Sequence, residues 1–393
     1  MRPVSETELA EMLRGAAGPL AVRGGGTRGI GRPVPGAVLQ TGGLAGVRLY
    51  EPGALTLVAG AGTPMAEVEA LLAAEGQRLP FEPMDHRPLL GGAGVPTLGG
   101  MVAANASGPR RVQAGACRDS LIGVRLVDGT GAVIKNGGRV MKNVTGYDLV
   151  KLMAGSWGTL GVLSEVSFKL LPRPETEATL VLQGLRATGA VAAMAAALGL
   201  PWEVSGAAFG AQDAEGRGAV HLRIEGFADS VRYRLGRIEQ ALAAHGQAER
   251  IEDAARSARL WRGIRDVEGF ADRAFVARVS IKPSDLPALM ADPALRQSGA
   301  ECLADWGGGL VWVAAAPDAA GAEPDIQRGR GLIEALQGFA AARGGHATLV
   351  KAPLALRRLV PSFQPEAPAV AALSRGLRAR FDPRGILNPG LME

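Results

Sequence analysis

Two glycine-rich stretches constrain this chain more than any other feature: Arg23-Gly24-Gly25-Gly26-Thr27-Arg28, and Pro96-Thr97-Leu98-Gly99-Gly100 running on through Ala104 and Ser107 to Gly108. Glycine permits positive φ and lets a ligand approach with no Cβ in the way, while successive amides supply fixed positive partial charge. Two such stretches point to a pyrophosphate of the kind found in dinucleotides. Neither has the Gly-x-Gly-x-x-Gly spacing of a Rossmann turn or the Lys-Ser/Thr ending of a P-loop, so neither of those modes applies. For either stretch alone, a flexible surface turn is the competing reading.

At 393 residues the chain has room for two or three domains. Hydrophobic residues make up 47% and no long polar tract interrupts them, which describes a globular protein. The net charge of +5 raises the question of nucleic acid, but only six of the 43 basic residues are lysines, the arginines form no stripe, and aromatics are 4%. Nucleic-acid binding is therefore not expected. Cys117 and Cys302 are the only two cysteines, too sparse for a disulfide framework, a zinc site or an iron–sulfur cluster, and this usage fits a reducing cytoplasm.

Ser5-Glu6-Thr7-Glu8 ahead of Leu9, Met12 and Leu13 predicts a capping box and an amphipathic helix instead of a signal peptide. The most apolar window, Ala187 to Trp202, is too short to span a membrane and is broken by Pro201. Strands are expected at Leu20-Ala21-Val22 and Leu55 to Ala59, then a helix capped by Thr63 with Pro64 at its first position and Gly76 as its stop. Leu121–Val127 and Ala132–Lys135 flank Asp128-Gly129-Thr130-Gly131 as a hairpin, and Ser164 to Leu171 alternates as a half-buried strand.

Pro172-Arg173-Pro174 marks a boundary. Beyond it, strands at 180–182, 220–224, 275–281 and 310–315 alternate with helices near 191–198, 232–245 and 326–343, which predicts a sheet backed by helices. No internal repeat is evident. Phe381 to Gly390 is too rich in turn residues for a helix and reads as a terminal segment folded back.

In order along the chain, the Arg23–Arg28 loop, Gly60-Ala61-Gly62-Thr63, the second glycine stretch, Cys117-Arg118-Asp119-Ser120-Leu121-Ile122-Gly123-Val124 and Gly158-Thr159-Leu160-Gly161-Val162-Leu163 resemble the FAD-binding domain of the vanillyl-alcohol oxidase and para-cresol methylhydroxylase family. Phe81-Glu82-Pro83-Met84 and the run from Lys142 to Leu152, with Tyr147 inside it, resemble the FAD-binding E subunits of bacterial glycolate oxidases. The resemblance implies an α+β fold: a two-subdomain FAD domain over residues 1–174, an α+β, ferredoxin-like cap over 175–345, and a C-terminal segment over 346–393 that returns to the FAD domain.

It also implies FAD as cofactor, bracketed by amides of Gly24, Gly25, Gly26 and Thr27 and those around Thr97 to Gly100, with Arg28 adding charge. Arg118, Asp119 and Gly123 fall where the family passes its chain beside the cofactor, and Gly161, Val162 and Leu163 match a segment bonding the flavin or adenine edges. Arg118-Asp119 also reads as an exposed ion pair. The first loop holds no His and the second no Cys, so the flavin is expected to be non-covalent.

Relatives acting on 2-hydroxy acids carry Gly-Glu-His-Gly in the cap. Here Gly344-Gly345-His346-Ala347-Thr348 lacks the Glu, so no metal is expected, and His86 is expected to be a solvated loop residue. Lys142 and Tyr147 either touch the flavin or pack the hairpin. The implied partners are a second flavoprotein subunit and an iron–sulfur subunit of a glycolate oxidase complex, the only route by which peripheral membrane association is expected. Three activities stay open: a hydroxy-acid (glycolate) oxidoreductase, an electron-relay flavin subunit without turnover, and a nicotinamide-dependent reductase on the same fold. No catalytic base or carboxylate-binding cation is identifiable.

Overall fold

The computed structural model describes residues 1–138, 146–210, 212–315 and 323–393, with the side chains of 323–325 left aside. Lys142 to Thr145, the start of the run to Leu152 that carries the E-subunit resemblance, fall within 139–145, outside the described residues. The chain divides into unit 1 (Met1–Ser107, Gly115–Arg173, Glu366–Glu393) and unit 2 (Gly108–Ala114, Pro174–Pro365).

Unit 1 begins with α1 (Glu6–Arg14), whose Ser5 side chain accepts from the Glu8 amide. Glu8 Oε2 accepts in turn from the Val4 amide at 2.8 Å, one residue ahead of the cap, so the reciprocal bond of the expected capping box is displaced to the preceding residue. Strands β1 (Leu20–Arg23) and β2 (Ala37–Gln40) pair in parallel, and β1 is bridged on in parallel to Leu387 of the returning terminus. A second sheet holds β3 (Val47–Glu51) and β4 (Thr56–Gly60), followed in sequence by α2 (Met65–Ala74) and α3 (Leu98–Ala103), then β5 (Leu121–Val127), β6 (Val133–Gly137) and β7 (Val162–Lys169). Its order is β3-β4-β7-β5-β6, every pair antiparallel. Leu57, Val124, Leu126, Val166 and Phe168 from this sheet bury against Val68 and Leu72 of α2 and Met101 and Val102 of α3.

The start of α2 departs from expectation. Pro64, not Thr63, is its N-cap. The Thr63 hydroxyl is already engaged, donating to Gly60 O at 2.7 Å and accepting from the Gly46 amide at 2.9 Å.

Unit 2 contains one eight-stranded antiparallel sheet. In chain order its elements are β8 (Thr176–Arg186), α4 (Ala187–Leu198), β9 (Gly206–Gly210), β10 (Arg217–Gly226), α5 (Ala228–Ala241), β11 (Ala248–Ile251), α6 (Ala254–Asp266), β12 (Phe275–Ser280), α7 (Leu286–Met290), β13 (Glu301–Asp305), β14 (Leu310–Ala315), α8 (Glu323–Ala341) and β15 (His346–Lys351). The strand order β11-β8-β10-β9-β13-β14-β12-β15 splits into two βαββαβ halves, each with the ferredoxin-like order in which the fourth strand lies beside the first. They join where Phe209 of β9 pairs with Ala304 of β13.

The structure therefore contains a repeat that the sequence reading did not find. Leu180, Phe209, Val220, Leu222, Ala277, Val279, Val311 and Val313 face one side and pack with Ala193, Met194, Leu235, Ile238 and Leu336 of the helices. The intervening residues, including Glu177, Arg223, Glu225 and Arg278, take the opposite face by the two-residue period of a strand.

Two domain limits need correction. Residues 346–365 belong to unit 2, because β15 is hydrogen-bonded along β12 as the sheet's edge. Residues 108–114 also belong there: Arg110 forms a forked pair with Glu225, with Nη2 to Oε1 at 2.9 Å, and the Gly108 carbonyl accepts from Trp306 Nε1 at 3.0 Å. The longest helices that escaped the sequence reading are α6 and Pro368–Phe381 in the terminal segment, the latter preceding the turn-rich tail.

Candidate functional site

The two glycine stretches lie against each other in unit 1. A Cβ at Gly25 would stand 1.5 Å from the Val95 carbonyl oxygen, so that glycine is required by a backbone crossing whether or not a ligand is bound. Gly26 is a different case, with φ +73° and open space where a side chain would point. The amides of Gly25, Gly26 and Thr27 donate to no described residue. Arg23 is exposed at the end of β1, its carbonyl accepting from the Thr41 hydroxyl at 3.4 Å.

Arg28 brings charge to the same place. Its guanidinium sits beside Gly100, where an added Cβ would be 3.4 Å from Nη1. Nη2 donates weakly to Met84 O at 3.4 Å, while Nε is sealed from solvent with no partner. Burial draws the guanidinium pKa down to about 10, with the negative charge of Asp85 opposing that shift. A poorly paired buried cation is expensive unless an anion reaches it. The phosphates of a dinucleotide would supply both that anion and acceptors for the orphan amides, so these residues fit FAD.

The second stretch contributes less backbone than expected. Pro96 O accepts from the Met65 amide, Leu98 N donates to Thr63 O, and Gly99 N donates to Ala61 O at 2.6 Å. Gly100 N donates to the Thr97 hydroxyl at 3.3 Å, and Ala104 N continues α3 onto Gly100 O. These amides from Leu98 to Gly100 are engaged within the chain, which leaves the first loop as the richer source of free donors. Ser107 Oγ accepts from Cys117 N at 2.9 Å and ties the end of the stretch to the next turn. Gly108 lies in unit 2.

Arg118 and Asp119 form a 3.9 Å ion pair with side chains 51% and 43% exposed, and Asp119 Oδ2 also accepts from Ala116 N at 2.9 Å. That pair matches the exposed-pair reading, and the carboxylate serves its own turn. Gly123 and Gly161 are close-packing positions: added Cβ atoms would meet Gly138 O at 2.7 Å and Leu126 Cδ1 at 2.5 Å. Val162 and Leu163 are buried on β7, paired with Val127 and Leu126.

His86 is buried, 7% exposed, and is not the solvated residue anticipated. Tyr147 is 89% exposed, so it packs no hairpin onto the core. His346 opens β15 at the surface, and its pKa is lowered by burial and by the neighbouring Arg278 and Arg111, a cationic setting that disfavours a metal. Among the described residues, no three His, Cys, Asp or Glu side chains gather to hold a metal ion, and no helix is long and apolar enough to cross a membrane.

Two buried or half-buried polar positions were not singled out in the sequence reading. Asn388, 4% exposed, stitches the returning terminus to β1, and the only sequence signal was the turn-rich run around it. Arg278 interrupts an apolar strand, Phe275-Val276-Ala277-Arg278-Val279-Ser280, a signal legible as an outlier in the period-two pattern.

Comparison with known proteins agrees with this geometry. Residues 1–137 match a family described as an FAD binding domain. The glycolate oxidase subunit GlcE of Escherichia coli (strain K12) is 33% identical over 380 residues, 95% of this chain and 92% of that protein. D-lactate dehydrogenase of Archaeoglobus fulgidus is 31% identical over 179 residues, 44% of this chain and 38% of that protein. A solved structure of alkyldihydroxyacetonephosphate synthase superposes with a TM-score of 0.72 at 16% identity, covering 99% of this chain and 76% of that one, which speaks to the fold alone. The α+β fold, the FAD domain and the near full-length match together mean that the chain belongs to the GlcE family of glycolate oxidase subunits, FAD-binding flavoproteins of the para-cresol methylhydroxylase type.

Proposed function

We propose that the chain is the FAD-binding subunit of a glycolate-oxidising complex, taking part in conversion of glycolate to glyoxylate and passing electrons to a partner iron–sulfur subunit alongside a second flavoprotein subunit. The observation that carries this is the orphaned donor set at the first glycine loop, Gly25, Gly26, Thr27 and Arg28, in a chain similar over almost its whole length to a glycolate oxidase subunit. Those groups hold the cofactor diphosphate in this reading. Bound FAD supplies the two-electron acceptor for hydride lost from the Cα of a 2-hydroxy acid.

The protein's own residues bind the dinucleotide, fix the loop that carries it and exclude a covalent link. Onward transfer needs a partner because Cys117 and Cys302 are both buried and lie in different units, with burial pushing the Cys302 thiol up to about 12. Thiols held this firmly in the neutral form are poor cluster ligands.

Anaerobic mixing of the purified, FAD-loaded chain and of its complex with glycolate, D-lactate and NADPH tests the proposal. Bleaching of the flavin by glycolate, faster in the complex than in the chain alone, is the expected result. Bleaching by NADPH and not by either hydroxy acid would make it a nicotinamide-dependent reductase, and no bleaching by any of the three in the complex would leave only electron relay. Acid precipitation should release the yellow flavin into the supernatant, and flavin retained on the denatured chain would refute non-covalent binding.

A further inference from the structure

The helix Pro368–Phe381 of unit 1 leaves its large aliphatic side chains unburied. Its half-buried positions are Ala371, Ser374, Arg378 and Phe381, three and four residues apart along one face, and no residue of the helix is fully buried. Val370, Leu373 and Leu377 repeat at the same helical spacing on the neighbouring strip of its surface, where they are 50%, 71% and 41% exposed. Phe381, at the last position, is the side chain that packs against the core of unit 1.

Such a helix gains little from packing on its own protein. At 14 residues it is close to the length, about 12–15 residues, below which helices are marginal in water. Gly376 in its middle, with open space where a Cβ would point, weakens it further. Polar bonds hold its two ends: Ser374 Oγ donates to Glu366 Oε1 at 2.8 Å ahead of the first turn, and the Asp382 amide donates to Arg378 O at 2.7 Å after the last. Charge along it has one sign, because Arg375, Arg378 and Arg380 lie within it and no Asp or Glu does. Arg380, three residues beyond Leu377, extends the aliphatic strip and forms no ion pair with a described residue.

We propose that Val370, Leu373 and Leu377 seat this helix in an apolar groove of a partner protein, with a carboxylate at the groove's end receiving Arg380. Anchors at i, i+3 and i+7 are the spacing by which one helix fills a groove. The unpaired arginine and the absence of acidic residues from the helix call for an acidic partner. A second copy of the chain, docked helix to helix about a twofold axis, would bring the same three arginines against their own kind. A strip of three aliphatics with neither Trp nor Phe on it is narrow for a helix lying in a lipid surface. Naming the partner as another subunit of a glycolate-oxidising complex rests on the function proposed above.

Titration of the FAD-loaded full chain against the purified second flavoprotein and iron–sulfur subunits tests the surface. Leu373→Glu and Leu377→Glu should each weaken assembly at least tenfold at unchanged flavin content and thermal midpoint, since both side chains already face water. Arg380→Glu should also weaken it at least tenfold, with a shallower dependence on salt, and Arg380→Lys should stay near wild type. If Leu377→Glu disturbs folding, Leu373→Glu, at the most exposed position, decides. Assembly unaffected by the Leu variants would overturn the docking and leave the subunit reading standing. A wild-type chain that never assembles with those subunits would sink the subunit reading and the docking with it. Leucine-dependent assembly around a flavin that glycolate never reduces would keep the docking and sink the oxidase reading. Two other occupants would also overturn the proposal: a second copy, shown by self-association of the chain alone that Leu373→Glu abolishes, or a membrane, shown by leucine-dependent flotation with vesicles of phosphatidylglycerol and phosphatidylcholine while assembly is untouched.

Discussion

Asn388 is bonded to Val22, whose amide donates to Asn388 Oδ1 at 2.7 Å, one residue before the glycine loop leaves β1 at Arg23. The same side chain donates from Nδ2 to Trp157 O at 2.7 Å, while its backbone amide donates to Leu20 O and the Leu20 amide to Ile386 O. The terminus is thereby held alongside β1 by a single parallel bridge, and the root of the loop carrying the free amides is fixed by a residue 366 positions away.

Asn388→Ala removes both side-chain bonds and strands a buried donor and a buried acceptor. A loss of about 2–4 kcal/mol of stability is expected. Asn388→Asp keeps the acceptor for Val22 and should lose about half of that. Urea denaturation monitored with flavin content is the measurement, and an Ala variant with wild-type stability and flavin would show that the terminus is not a clamp.

Arg28→Met should separate ligand binding from folding. Removing a cation whose Nε is sealed without a partner leaves the apo form as stable or more so. FAD affinity should fall about 10–100-fold, the size of one charge-assisted contact of about 1.5–3 kcal/mol. Flavin fluorescence titration of the apoprotein beside thermal unfolding reads both quantities. Unaltered affinity in a destabilised variant would make Arg28 a structural residue.

Gly25→Ala and Gly26→Ala should fail differently. At Gly25 the Cβ collides with the Val95 carbonyl, so the two stretches must separate and the apoprotein itself should be destabilised. At Gly26 the space is open and only the backbone at φ +73° resists, costing about 1–2 kcal/mol, with a further loss in flavin affinity as the loop relaxes. Comparable apo stabilities for the two variants would contradict the crossing.

How much of this was legible in the sequence follows from range. The α1 box, the Asp128–Gly131 hairpin and the glycine stretches are local, set by capping, turn chemistry and backbone freedom within a few residues. The capping role assigned to Thr63 failed because Gly46, 17 residues away, had claimed its hydroxyl. Leu98 and Gly99 looked like anion donors until α2 and its approach took their amides. The doubled ferredoxin-like sheet depends on strand order, which residue spacing alone does not encode. Asn388 acts wholly through distant partners, so no neighbouring residue announces it.

His221 gives the acid limb of stability a specific origin. It lies on β10 between Val181 and Ala208, and burial pushes its pKa down to about 4. The unfolded chain, where the group titrates near 6.5, therefore binds more protons than the folded one between those two values. The contribution of His221 is fully present above about pH 6.5 and is lost as pH falls towards 4, up to about 3 kcal/mol in all. His346 shifts in the same direction, so some acid sensitivity should remain when His221 is removed. Urea midpoints at pH 7, 5.5 and 4 should fall steeply for the wild type and more shallowly for His221→Gln, which cannot take up the proton. Equal slopes for the two proteins would place the acid-sensitive group elsewhere.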